Sequence, residues 1–110
     1  MKGQNLGEFE ELVLLAAASL VSDAYSVAIC EELSQKTKRD VKLGMVHAVL
    51  HRLEQKGLLK SKLGPTTAER GGKRKRMYTV TSAGKSALVK TREIREQFWK
   101  TIPGFQFKIQ

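Results

Sequence analysis

The sequence predicts a mainly α fold carrying one two-stranded β-ribbon, in the order α-α-α-β-β-α. Three observations lead there. Between Glu8 and Lys56 lie three stretches with helically spaced apolar residues, separated by short polar turns. Two runs near residues 59–63 and 75–80 alternate with period two around a Gly- and Lys/Arg-rich loop. A long segment with one apolar stripe then follows from Ser82. At 110 residues the chain is one domain's worth, and its 41% hydrophobic content suits a folded core.

The first helix is predicted from about Glu8 to Leu20, with Glu8, Glu10 and Glu11 in the first turn where the helix dipole favours negative charge. Its apolar residues run almost continuously, so it needs cover on most sides, part of it from a second copy of the chain. The turn Ser22-Asp23-Ala24-Tyr25 leads into a second helix with Ser26 as its expected N-cap and Ile29 and Leu33 inward. A polar, mostly basic loop, Thr37 to Lys42, precedes a third helix from Leu43 to Lys56. There Val46, Leu50 and Leu53 cluster inward, flanked by Leu43 and Val49, while Gly44, Met45, Ala48, His51, Arg52 and Gln55 face away. Gly57 ends it as a C′ residue.

Leu59, Ser61 and Leu63 alternate with Lys60 and Lys62, and Arg76, Tyr78 and Val80 with Lys75, Met77 and Thr79. The loop between these strands is far longer than an ordinary hairpin turn, and such loops tend to carry function. Thr81 or Ser82 is expected to cap the last helix, which runs to about Thr101 before Ile102-Pro103-Gly104 stops it. Its stripe is Ala87, Leu88, Thr91, Ile94 and Phe98, widened by Trp99. The expected division is a unit of three helices and the ribbon over residues 1–81, a dimerisation helix over 82–101 and a tail over 102–110.

Charge is placed unevenly. Residues 1–57 hold seven Lys/Arg against eight Asp/Glu, and residues 58–110 hold thirteen against three, so the net +9 is concentrated in the second half. That balance suits a polyanionic partner, nucleic acid or an anionic surface. The lone Cys30 makes no intramolecular disulfide and reads as a small packing residue. The longest apolar stretch falls short of a bilayer span and is preceded by acidic residues, so a cytoplasmic protein without membrane contact is expected. His47 and His51 stand four apart, but no third ligand accompanies them, and Glu31-Glu32 diverge by about 100° on a helix. The expectation is therefore no metal, no cofactor and no enzyme.

The order of elements is that of a winged helix-turn-helix. In that layout the third helix reads base edges in the major groove, while the loop between the strands grips the backbone. The segments LGEFEELVLLAAASL, AYSVAICEEL, DVKLGMVHAVLHRLEQKGLL and ERGGKRKRMYTVTSAGKSAL together resemble the PadR-like regulators, from Leu6 to Leu88. The resemblance implies homodimers built through the first and last helices, repression at promoters, a short C-terminal subgroup and, in some members, release by a small-molecule effector. It departs from the family at His47, where tyrosine is usual, and at Met77-Tyr78, where a tyrosine pair is usual.

The expected partner is double-stranded DNA, with a pseudo-palindromic operator bound by a homodimer. Lys38, Arg39 and Lys42 are assigned to phosphates before the third helix; Gly44, His47, Ala48, His51 and Arg52 to that helix's DNA face, with His47 nearer the core; and Lys73, Arg74, Lys75 and Arg76 to the wing. Phe9, Leu12, Leu15, Ile94, Phe98 and Trp99 are assigned to the dimer interface, with Trp99 alternatively stacking on an effector. One rival is a winged helix that docks on protein and leaves DNA alone. It requires an apolar or acidic third-helix face. The other, membrane-surface binding, requires a basic amphipathic helix with exposed aromatics.

Overall fold

A computed structural model describes residues 5–65 and 74–104. The chain forms α1 (Glu8–Leu20), a short 3-10 turn (Val21–Asp23), α2 (Ser26–Thr37), α3 (Leu43–Gln55), β1 (Leu59–Leu63), β2 (Arg76–Val80) and α4 (Ser82–Lys100). This is the expected winged helix-turn-helix order. The strands pair antiparallel from Leu59 opposite Val80 to Leu63 opposite Arg76. The wing loop beyond Pro65, with Lys73, and the tail from Phe105 lie outside the described residues.

The core forms where the inward stripes converge. Val13, Leu14, Ala16 and Ala17 of α1 meet Ile29 and Leu33 of α2 and Val46, Val49, Leu50 and Leu53 of α3. Leu58, Leu59, Val80 and Ala87 close it from the wing side. Fully burying a side chain of the Val, Leu or Ile kind contributes about 1.5–3 kcal/mol, so this cluster rather than local propensity holds the helices.

Helix ends follow backbone geometry. Gly57 takes φ +80°, the left-handed turn expected of a C′ glycine. Lys38 ends α2 in the same region with φ 60°, and its N–H donates to the Ser34 carbonyl. Thr81 caps α4, its hydroxyl accepting from Gly84 N–H at 3.0 Å and donating to the Gly57 carbonyl at 2.7 Å. Ser26 is not the N-cap of α2. That place belongs to Tyr25, which is extended and makes no side-chain cap, since its phenol cannot reach back to the first-turn amides as a short hydroxyl or carboxylate would. Tyr25 forms an isolated antiparallel bridge with Met77, and Tyr78 N–H donates to the Ala24 carbonyl at 2.8 Å. The link between α1 and α2 thus fastens the wing to the helical body.

Two further differences concern α3. Leu43, expected beside the core, is 40% exposed at the start of the helix. His47, expected nearer the core, is also exposed. The four buried side chains of α3 already fill its inner face.

Candidate nucleic-acid interface

The outward face of α3 begins with Gly44, continues through Ala48 and His51, and is flanked by His47 on one side and Arg52 on the other; all five are exposed. Small residues on a protruding helix allow close approach, and imidazole and guanidinium groups supply hydrogen bonds. Among the described residues nothing requires glycine at position 44, since a Cβ there would meet no described atom within 4 Å.

His47 also lines a cleft of about 700 Å³ running between the start of α2 and the base of the wing. Tyr25, Ser26 and Val27 form one wall and Arg74, Lys75, Arg76 and Tyr78 the other, with Glu31 at the edge. Lys75 Nζ stands 3.9 Å above the Tyr25 ring, a cation–π contact that fixes the aliphatic stem and keeps the charge at the cleft. Arg74 Nε donates to the Gly64 carbonyl at 2.8 Å, and Arg76 donates to Ser61 Oγ at 3.1 Å. Each contact pins one guanidinium nitrogen and orients the rest. Burial, first of all, pushes the Tyr78 phenol upward, so it remains a neutral hydroxyl.

The cations before and along α3 are restrained by carboxylates. Arg39 grips Glu8 through both terminal nitrogens, at 2.9 and 3.4 Å, and that hydrogen-bonded pairing holds the Glu8 carboxyl below its usual range. Lys42 pairs with Asp40 at 2.8 Å. Lys38, on the left-handed cap of α2 just before them, is exposed. Arg52 donates from Nε to Glu10 at 2.9 Å, and Lys56 reaches the same carboxylate at 3.0 Å. Glu10, 8% exposed, also accepts from Gly7 N–H. Burial raises its carboxyl, but the Gly7, Lys56 and Arg52 contacts outweigh this and leave it lowered. Arg52 is therefore partly committed inside the protein.

Of the residues assigned from the sequence, His47, Arg74, Lys75 and Arg76 line the cleft; Tyr25, Ser26, Val27, Glu31 and Tyr78, which line it too, were not assigned to a site. The available signal was the single extended residue before α2, which leaves no periodicity. Sequence reasoning also missed the partners of Arg39 and Arg52, 31 and 42 positions away. The residues assigned to dimerisation divide in two. Phe9 and Leu12 pack partly against the chain's own core, whereas Leu15, Ile94, Phe98 and Trp99 are 45%, 52%, 71% and 43% exposed.

Among the described residues no helix is long and apolar enough to cross a membrane. Comparison with known proteins places the fold. It resembles the complex structure of hsRosR-S1, with TM-score 0.74 and 22% identity over 93% of this chain and 83% of that one. It is also similar to a PadR-like transcription factor from Bacteroides fragilis, with TM-score 0.68 and 22% identity over 84% of each chain. A third similar structure is a PadR-like transcriptional regulator from Bacillus cereus, with TM-score 0.69 and 17% identity over 84% of this chain and 85% of that one. No functionally curated protein matches the sequence. The sequence pattern of the family described as "Transcriptional regulator PadR-like family" matches residues 14–90, from the core of α1 through α3 and the wing into α4, and the chain belongs to that family.

Proposed function

We propose that this PadR-like regulator is a repressor that binds a pseudo-palindromic operator as a homodimer in the cytoplasm. The observation that carries the reading is the pairing of two surfaces. The exposed α3 face of Gly44, His47, Ala48 and His51 is built for base edges, and the adjoining cleft gathers Arg74, Lys75 and Arg76 for phosphates. In this reading α3 lies in the major groove and the wing follows the backbone, with Lys73 extending the grip into the loop. Lys38, Arg39 and Lys42 hold phosphates on the other side of α3, Arg39 and Lys42 by exchanging their carboxylate partners for DNA.

Dimerisation is supported by Ile94 and Phe98 on α4, 52% and 71% exposed, with Ile102 just past the end of the helix at 44%. A groove of about 380 Å³ between Leu6 and the Ile94–Phe98 stretch adds to it. Leu15 extends the same apolar supply onto α1, with Phe9 and Leu12 behind it. Trp99 serves packing between copies first, and stacking on a flat effector second.

The test separates reading from gripping. An operator is selected from random DNA, and binding is measured against salt. His51→Ala is expected to cost about 1–3 kcal/mol on the operator and little on random DNA. Neutralising Arg74 and Arg76 is expected to weaken binding to every sequence and flatten the slope of log K against log[salt] by about 0.9 for each phosphate that the wing no longer neutralises. Equal affinity for operator and random DNA, or an unchanged slope, refutes the proposal.

A further inference from the structure

The outward side of α3 is polar or small except near its first turn. Met45, the third residue of the helix, is 51% exposed. It takes no part in the core, which already holds Val46, Val49, Leu50 and Leu53 from the same helix. Lys42, paired with Asp40, stands three positions before it and Arg52, whose Nε is held by Glu10, seven after, both on its side of the helix and both exposed. An apolar tip set between two cations fits a surface that is anionic at its edges and carries an isolated apolar group between them.

The major groove of B-DNA has that character. Its walls are phosphates, its floor carries hydrogen-bonding groups at every base pair, and its apolar feature is the C5 methyl of thymine. The N-terminal residues of a recognition helix are those that reach base edges. The open space around Gly44 lets the backbone approach there, and an unbranched thioether adapts to a small apolar target.

We infer that Met45 is a specificity-determining residue that packs on the C5 methyl of one thymine in each operator half-site. This rests on the reading of α3 as the major-groove helix. The contact supplies discrimination that the hydrogen-bonding His51 does not, because cytosine and uracil lack the methyl group.

The test uses the full chain and the operator selected from random DNA, with thymines replaced singly and in symmetric pairs by deoxyuridine, which removes the methyl and nothing else. At one symmetric position, uracil is expected to weaken wild-type binding about fourfold per half-site, the equivalent of one buried methylene. Met45→Gln keeps the length and helix preference of the side chain, and Met45→Ala removes the thioether while favouring the helix. Both are expected to bind the thymine operator with the weakened affinity and to lose no more on the uracil operator. Thermal melting checks that both variants are folded. If every uracil exchange affects wild type and variants alike, the thymine contact is overturned while sequence-specific binding stands. If no preferred sequence emerges from the selection, both fall together.

Discussion

Gly84 lies in the first turn of α4, where a Cβ would collide with the Leu58 carbonyl oxygen and the Val80 side chain. Gly44 lies in the first turn of α3, where a Cβ would meet nothing among the described atoms. Glycine within a helix costs roughly 0.5–1 kcal/mol relative to alanine, so Gly84 offsets that cost by allowing close packing, while Gly44 has no internal compensation. Stability and binding should therefore separate. Gly84→Ala is expected to lower stability by about 1–3 kcal/mol, the usual range for overpacking. Gly44→Ala is expected to raise it by up to about 1 kcal/mol and yet weaken the operator complex roughly tenfold, a loss of about 1.4 kcal/mol. Denaturant melts and operator titrations on the two variants check this. A Gly44→Ala protein that is stabilised and binds operator as well as wild type would remove the case for close approach at that position.

The first turn of α1 ties three elements together through its acidic residues. Glu8 holds Arg39 ahead of α3, Glu10 holds Arg52 on α3 and Lys56 at its C-cap, and Glu11 holds Arg95 on α4 at 2.8 Å. In the sequence these carboxylates account for themselves as dipole partners, and two of their distant cations, Arg39 and Arg52, read as DNA contacts. Helix lengths and inward stripes were legible because they are local and periodic; the Glu10 pairing was not, because 42 residues separate it from Arg52. The Tyr25 bridge was hidden for a related reason, since one paired residue makes no alternation. Glu10→Gln leaves Lys56 and Arg52 facing a neutral amide at a buried position. With both cations partly solvated, the cost is expected to be about 1–3 kcal/mol rather than the larger loss of a fully buried pair. Because the folded state lowers the Glu10 carboxyl, its contribution is present at neutral pH and fades as pH falls below the usual carboxylate range and through the folded value. The stability gap between wild type and Glu10→Gln should therefore close in acid. Chemical denaturation across that range checks it, and a gap that stays constant would place the cost elsewhere.

At the scale of the whole molecule, the chain is extended. Its radius of gyration is 16.0 Å, against about 13 Å for a compact domain of this length. The reason lies in α4, whose 19 residues contribute only Gly84 and Ala87 to the buried interior. Beyond Leu88 its apolar side chains run past the core, and Phe98 is 71% exposed. A helix that carries an apolar stripe away from its own core needs another surface, and a second copy related by a two-fold axis offers an identical stripe. The proposed dimer then fixes the distance between two α3 helices, and through it the operator. Half-sites should lie about one helical turn apart, roughly 10 bp between centres or a multiple of it. Sedimentation is expected to give a dimer at micromolar concentration, and Trp99→Ala to shift it toward monomer. Inserting about half a turn, roughly five base pairs, between half-sites turns them to opposite faces of the duplex and should abolish tight binding, whereas inserting a full turn should cost less. Trp99→Ala should reduce operator binding in parallel with dimerisation while leaving the weak affinity of one protomer for one half-site in place. Equal binding to operators of every spacing would mean that each protomer reads DNA alone, and the exposed stripe of α4 would then require a partner other than a second copy.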